Sequence, residues 1–143
     1  MRYVKILFLF LAASSIISCK KSIKETLAEK YFSENVLNRD FEITYAKNEG
    51  EDITSTYLGY SFLLKKGSDF YNGPLIVTKG TDIYYGTWQA DEDFGKLTIV
   101  LPSLPAEFAF LTRDWRFTSK KLPVLKFAPW GSDAKIALTM ERK

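Results

Sequence analysis

Histidine is absent from this sequence of 143 residues, and Cys19 is its only cysteine. These absences exclude Ser-His-Asp and Cys-His catalysis, zinc sites built from histidine or cysteine, haem ligation by histidine, and disulfides within the chain. The glycines form no glycine-rich phosphate loop, because Gly86 and Gly95 stand alone. We therefore expect a protein that is not an enzyme and that carries no cofactor.

The composition is that of one folded domain. Apolar residues make up 46% of the chain and charged residues 26%, which favours a packed core over disorder. Aromatic residues reach 15%, and aromatic side chains are enriched in β-strands. The length and composition predict a single domain rich in sheet.

The N-terminus has the pattern of an export signal. Arg2 and Lys5 give a basic start, and an apolar run from 6 to 17 follows, broken only by Ser14 and Ser15. This run is shorter than the roughly 20 residues that a helix needs to span a membrane. A basic start followed by a short apolar run is typical of a secretory signal, so we assign residues 1–18 to a signal peptide.

The signal ends in a motif that can be acylated. Ile16-Ile17-Ser18-Cys19 places an apolar residue, a permissive residue and a small residue before cysteine, and it resembles the lipobox of bacterial lipoproteins. The resemblance implies cleavage before Cys19 and a lipid on its thiol. The protein would then be anchored to the membrane of the cell envelope through that lipid.

Charge and the residues after Cys19 refine the expected location and partners. The formal net charge is +3, but Arg2 and Lys5 leave with the signal, so the mature chain is closer to neutral and no nucleic-acid partner is expected. No aspartate follows Cys19, which resembles the outer-membrane rule of some bacteria. No acidic run follows it either, which favours the periplasmic side over the cell surface.

Residues 19–38 are predicted to form a tether and a helix. Ser22 and Glu25 have the spacing of a capping box, in which each side chain accepts from the other's backbone amide. An apolar stripe follows at helical spacing, formed by Ile23, Leu27 and Tyr31 with Ala28 and Phe32 beside them. We expect this stripe to pack on the domain that follows.

Residues 39–143 are predicted to form an all-β domain. Alternating or β-branched segments lie around 41–46, 58–64, 75–78, 83–88, 96–101, 115–118, 122–127 and 136–141. No βαβ rhythm occurs, so these segments indicate an antiparallel up-and-down meander of about eight strands, closed as a small barrel or folded as a sandwich. Pro123 cannot donate to a strand ladder, so its strand should lie at an edge or carry a bulge.

Several short motifs follow one another along this domain. They are Phe41-Glu42-Ile43-Thr44-Tyr45, Gly59-Tyr60-Ser61-Phe62, Gly86-Thr87-Trp88, Gly95-Lys96-Leu97-Thr98 and Arg113-Asp114-Trp115. In this order they resemble the small lipocalin-like lipoproteins of Bacteroidota-type bacteria. The resemblance implies a lipocalin-like β-barrel on a lipid anchor, and it implies little about mechanism.

An acidic stretch, Asp91-Glu92-Asp93, imitates the opening of a calcium loop. A calcium loop of the EF-hand type needs a bidentate glutamate at its twelfth position, where this chain has Pro102. We therefore expect a polar turn rather than a metal site.

Aromatic residues are the candidate ligand-binding side chains. They are Tyr45, Tyr60, Phe62, Tyr84, Trp88 and Trp115. A barrel of about eight strands either holds one small ligand or is filled by its own side chains, and alternation does not distinguish these cases. The first hypothesis is a binding protein for a small hydrophobic molecule. The alternative is a filled barrel that interacts with another envelope protein, as an inhibitor or an assembly accessory.

Overall fold

The structure, a computed structural model, describes residues 21–143. The predicted signal peptide and Cys19 lie outside the described residues. The helices are α1 (Ile23–Asn35) and α2 (Phe108–Leu111), with a 3₁₀ helix at Thr54–Tyr57. The strands are β1 (Asp40–Asn48), β2 (Glu51–Asp52), β3 (Tyr60–Leu64), β4 (Asn72–Lys79), β5 (Asp82–Ala90), β6 (Lys96–Val100), β7 (Arg113–Ser119), β8 (Val124–Pro129) and β9 (Ala137–Arg142). No helix in this part of the chain is long and apolar enough to cross a membrane.

The strands form a closed antiparallel barrel. β1 and β3 to β9 follow one another around it, and β1 also pairs with β9, which closes the sheet. β2 is an additional short strand that pairs with the end of β1. The predicted up-and-down barrel is therefore confirmed, and the sandwich alternative is wrong. Closure leaves β2 and the unpaired strand ends as the only sheet edges of the described chain.

The two ends of the barrel are covered by different elements. At one end, Phe32 of α1 packs against Trp88 and Phe94. At the other end, Phe108 of α2 packs against the rings of Tyr60 and Tyr84. We call these the α1 end and the α2 end; the α1 end lies next to the start of the described chain, close in sequence to Cys19.

Helix α1 begins as predicted and packs on the barrel through part of the predicted stripe. The Ser22 side chain accepts from the Glu25 amide at 3.1 Å, and the Glu25 carboxylate accepts from the Ser22 amide at 2.9 Å, so the capping box is confirmed. Part of the predicted stripe packs on the barrel, because Phe32 is buried and Ala28 and Tyr31 are partly buried against the core. The N-terminal part does not, because Ile23 is 81% exposed and Leu27 is 62% exposed. Phe32 is the aromatic residue of α1 that enters the core.

A buried acid, Glu29, also lies on the packed side of α1. There it accepts a hydrogen bond from the Tyr71 hydroxyl and pairs with the Lys21 ammonium. Burial alone would raise the pKa of Glu29, but these hydrogen bonds outweigh it and hold the pKa below its ordinary value. Apolar spacing does not predict the burial of Glu29, because it ignores a charged residue whose burial is compensated by partners.

We expect Glu29 to make the fold sensitive to acid. Its pKa is lower in the folded state, so its stabilisation is present at neutral pH and is lost as the pH falls through and below the ordinary value of 4.5. The Glu29→Gln variant should be less stable at pH 7 and should lose less stability between pH 7 and pH 4. Urea unfolding at the two pH values tests this, with the exposed Glu34→Gln as the control. Equal pH dependence in wild type and Glu29→Gln would contradict it.

Strand β8 differs from the sequence prediction at its start. It begins at Val124, so Pro123 precedes the strand and takes no place in the ladder. The carbonyl of Pro123 accepts from the amide of Arg142 at 2.9 Å, which joins the turn to the end of β9. The prediction that Pro123 lies inside a strand is wrong, since the strand starts after the residue that lacks an N–H.

Candidate functional site

The barrel interior contains five of the six candidate aromatic residues. Tyr60, Phe62, Trp88 and Trp115 are buried, and Tyr84 is partly buried. They come from three strands, with two residues each on β3 and β5 and one on β7.

Tyr45 lies outside this group. The pairing of β1 with β9 shifts in register between Ile43 and Tyr45, and this irregularity inverts the alternation of the strand. Ala46 points inward in its place, and Tyr45 is 38% exposed. The prediction that Tyr45 shares a face with Phe41 and Ile43 is therefore wrong.

The interior aromatic residues pack against one another and against the end caps. At the α2 end, the Phe108 ring centroid lies 5.6 Å from that of Tyr60 and 5.1 Å from that of Tyr84. At the α1 end, Phe32 lies 5.6 Å from Trp88. Rings at these separations are in contact. The candidate aromatic side chains were expected either to line a cavity or to fill the barrel, and they occupy the interior themselves.

The polar atoms of the interior aromatic residues also have partners within the protein. The Tyr60 hydroxyl donates to the Glu107 carboxylate at 2.8 Å, and Trp88 Nε1 donates to the Lys65 carbonyl at 2.7 Å. Trp115 Nε1 donates to the Leu111 carbonyl at 3.0 Å. Burial, with the Glu107 carboxylate adding to it, raises the pKa of Tyr60, so this hydroxyl stays a neutral donor. The bonds of Tyr60 and Trp115 hold the connection that contains α2 in place. All three polar atoms already have hydrogen-bond partners within the protein.

Several cavities of the described chain open at the surface. Four of them measure about 380, 310, 250 and 200 Å³, and none of these four is lined by the six candidate residues. The cavity of 380 Å³ lies at the α2 end, where Tyr57, Phe110 and Arg113 line it. We call it the Arg113 cavity.

Sequence reasoning did not single out the residues of this cavity. Arg113 was noted only as part of a motif, and Tyr57 and Phe110 lie in segments without strand periodicity. The feature of the sequence that could have indicated this site is a basic residue, Arg113, two positions before Trp115 at the start of a strand.

A row of apolar side chains lies on the outer face of the sheet. Leu63 of β3 is opposite Ile76 of β4, and Ile76 is opposite Tyr85 of β5. Ile83, two residues before Tyr85, adds to the same face. Tyr85 is 66% exposed and Ile83 is 54% exposed. We call these four residues the β5 patch.

Three of the motifs are explained by contacts within the barrel. The Lys96 ammonium lies 2.7 Å from the Asp114 carboxylate, and the Thr98 hydroxyl donates to the same carboxylate at 2.6 Å. These partners hold the pKa of Asp114 below its ordinary value. At Gly86, any Cβ would overlap the Val100 carbonyl oxygen, so only glycine fits where β6 leaves β5. These residues therefore have structural roles.

The acidic stretch forms the predicted turn. The Asp91 carboxylate accepts from the Lys96 amide at 2.9 Å, and the Asp93 carboxylate accepts from the Gly95 amide at 3.0 Å. Within residues 21–143, no three acidic, cysteine or histidine side chains are grouped so as to hold a metal ion. The turn residues are accounted for by backbone hydrogen bonds.

Comparison with protein families, with characterised proteins and with solved structures gives no match for this chain. The observations that bear on function are therefore those of the barrel itself.

Proposed function

We propose that this protein is a lipid-anchored, non-enzymatic protein of the cell envelope that binds a partner protein through the outside of its barrel. The observation that carries the proposal is the packed interior: Tyr60, Trp88 and Trp115 are buried among other side chains, and their polar atoms are engaged. This packing favours the filled-barrel alternative over a small hydrophobic ligand held inside.

The proposed anchor sets the orientation of the barrel. Helix α1 starts at Ile23, only a few residues after Cys19, so a lipid on Cys19 would hold the α1 end near the membrane. In this arrangement the α2 end points away from the bilayer. We place the protein on the periplasmic side of the outer membrane, following the residues after Cys19.

The β5 patch is the surface that we assign to the partner. Tyr85 and Ile83 expose large apolar side chains on a sheet face, and Leu63 and Ile76 extend the patch sideways across two strands. Burying apolar surface releases about 25 cal/mol per Å², so a partner that covers the patch gains binding free energy there. Contiguous exposed apolar surface commonly marks interaction sites.

Site-specific photo-crosslinking in the native host tests this assignment. A benzophenone amino acid at Tyr85 of the full-length chain should give one discrete crosslinked product, because the partner covers this position. The same amino acid at Tyr45 is the matched control, since Tyr45 is also an exposed tyrosine on the outer face, but on β1. No product at Tyr85, or the same products at both positions, would contradict the proposal.

A further inference from the structure

The Arg113 cavity lies at the end of the barrel opposite α1, between the 3₁₀ helix and the connection that contains α2. Arg113 is the first residue of β7 and pairs with Ile99 of β6, so the sheet fixes its backbone. The cavity of about 380 Å³ is open to solvent. A small group can therefore enter it without displacing the aromatic core.

The neighbours of the Arg113 guanidinium are aromatic rings rather than acidic side chains. Its Cζ lies 5.0 Å from the ring centroid of Phe110 and 5.3 Å from that of Trp115. Within residues 21–143, no carboxylate lies within 4.0 Å of its nitrogens and no hydrogen bond from its side chain is formed. Its Nε is buried without an acceptor. A half-buried charge in this state gains free energy when an anion pairs with it.

The acid that acts on this cation, Glu49, forms no ion pair with it within residues 21–143. Burial lowers the pKa of Arg113, while the Tyr57 hydroxyl and Glu49 act in the opposite direction. The carboxylate of the lining residue Glu107 accepts a hydrogen bond from the Tyr60 hydroxyl and is not an ion-pair partner of Arg113. The Tyr57 hydroxyl is itself committed, donating to the Glu107 carbonyl at 2.8 Å. The positive charge therefore faces the cavity unpaired.

The rest of the lining combines apolar and polar atoms. Ile53, Ala109 and Phe110 give apolar walls, and Asn48 and Thr56 give an amide and a hydroxyl at the edge. Such a lining suits a compact apolar body that carries one anionic group. A planar carboxylate matches the geometry of the guanidinium donors.

We propose that the Arg113 cavity binds a carboxylate attached to a compact apolar group. Arg113 pairs with the carboxylate, and the walls cover the apolar body. The carboxylate belongs either to a free organic acid or to the C-terminal residue of a peptide, and both present the same chemistry to the cavity. This proposal is independent of partner binding at the β5 patch.

Benzoate and benzamide are matched probes, because they share a ring and differ in charge. In NMR titrations of residues 21–143, which contain the barrel and both end caps, benzoate should shift the Ala109 amide and the Trp115 indole signals saturably. Benzamide should bind at least about tenfold more weakly. A tripeptide that ends in a free phenylalanine carboxylate, with its C-terminal amide as the control, distinguishes the two sources. Tighter binding than benzoate indicates a peptide C-terminus, and weaker binding indicates a free organic acid.

Substitutions locate the binding site. Arg113→Gln should weaken benzoate binding at least about tenfold, and Arg113→Lys should weaken it less, because the charge remains while the planar donor pair is lost. Arg116→Gln is the control, since Arg116 is an exposed arginine on the same strand. Equal binding of benzoate and benzamide by the wild type, no saturable shift, or unchanged binding by a folded Arg113→Gln variant would overturn the proposal. The first two outcomes are measured on the wild type, so they do not depend on whether a variant folds.

Discussion

Replacing Trp88 with alanine will lower the free energy of unfolding by about 3–5 kcal/mol. Trp88 is only 1% exposed, its ring contacts Phe32 of α1, and its Nε1 donates to the Lys65 carbonyl at 2.7 Å. The substitution removes these contacts, opens a cavity in a filled interior and leaves the Lys65 carbonyl without its donor. Urea unfolding followed by tryptophan fluorescence measures the change.

Trp130→Ala is the matched control for this prediction. Trp130 is 46% exposed and lies after β8, with the Lys96 ammonium over its ring. Its loss should change stability by no more than about 0.5 kcal/mol, as is usual for surface positions. If Trp88→Ala cost as little as Trp130→Ala, the interior around Trp88 would contain space, and the filled-barrel account would be wrong.

Replacing Cys19 with serine will move the protein from the membrane fraction to the soluble fraction. A serine hydroxyl does not replace the thiol that takes the lipid, and each buried CH₂ of an acyl chain contributes about 0.8 kcal/mol to membrane binding. Labelling cells with a radioactive fatty acid should mark the wild-type protein and leave Cys19→Ser unmarked.

The control for this experiment is the fold of the released protein. Cys19 precedes the described residues, so the variant should keep the near-ultraviolet circular dichroism of the packed tryptophans Trp88 and Trp115. A Cys19→Ser protein that stays membrane-bound and still carries the label would contradict the lipoprotein assignment.

The barrel was predictable because its strands are half-buried and alternate regularly. On β3, Tyr60, Phe62 and Leu64 are all buried, as period-2 alternation requires. The outward position of Tyr45 was not predictable, because the register shift in β1 depends on the pairing with β9, which is distant in the sequence. The burial of Glu29 on α1 was not predictable either, because it depends on its partners Tyr71 and Lys21.

The candidate site was less predictable than the fold. The strand register places Trp88 and Trp115 on one face of the sheet, whereas alternation in the sequence does not say which face looks inward or how much space remains inside. The end caps decide that, and Phe32 and Phe108 belong to helices whose docking is set by tertiary contacts. Arg113 was missed for the same reason, since Phe110 reaches it through the α2 connection.

Native mass spectrometry tests the central claim most directly. Residues 21–143 with the Arg113→Gln substitution, which removes the proposed carboxylate site, would be purified without detergent and exposed to an envelope lipid extract. The filled barrel predicts the mass of the polypeptide alone. A stoichiometric additional mass that is retained by this variant, and lost when Trp88→Ala is added, would contradict the account and would place a hydrophobic ligand inside the barrel.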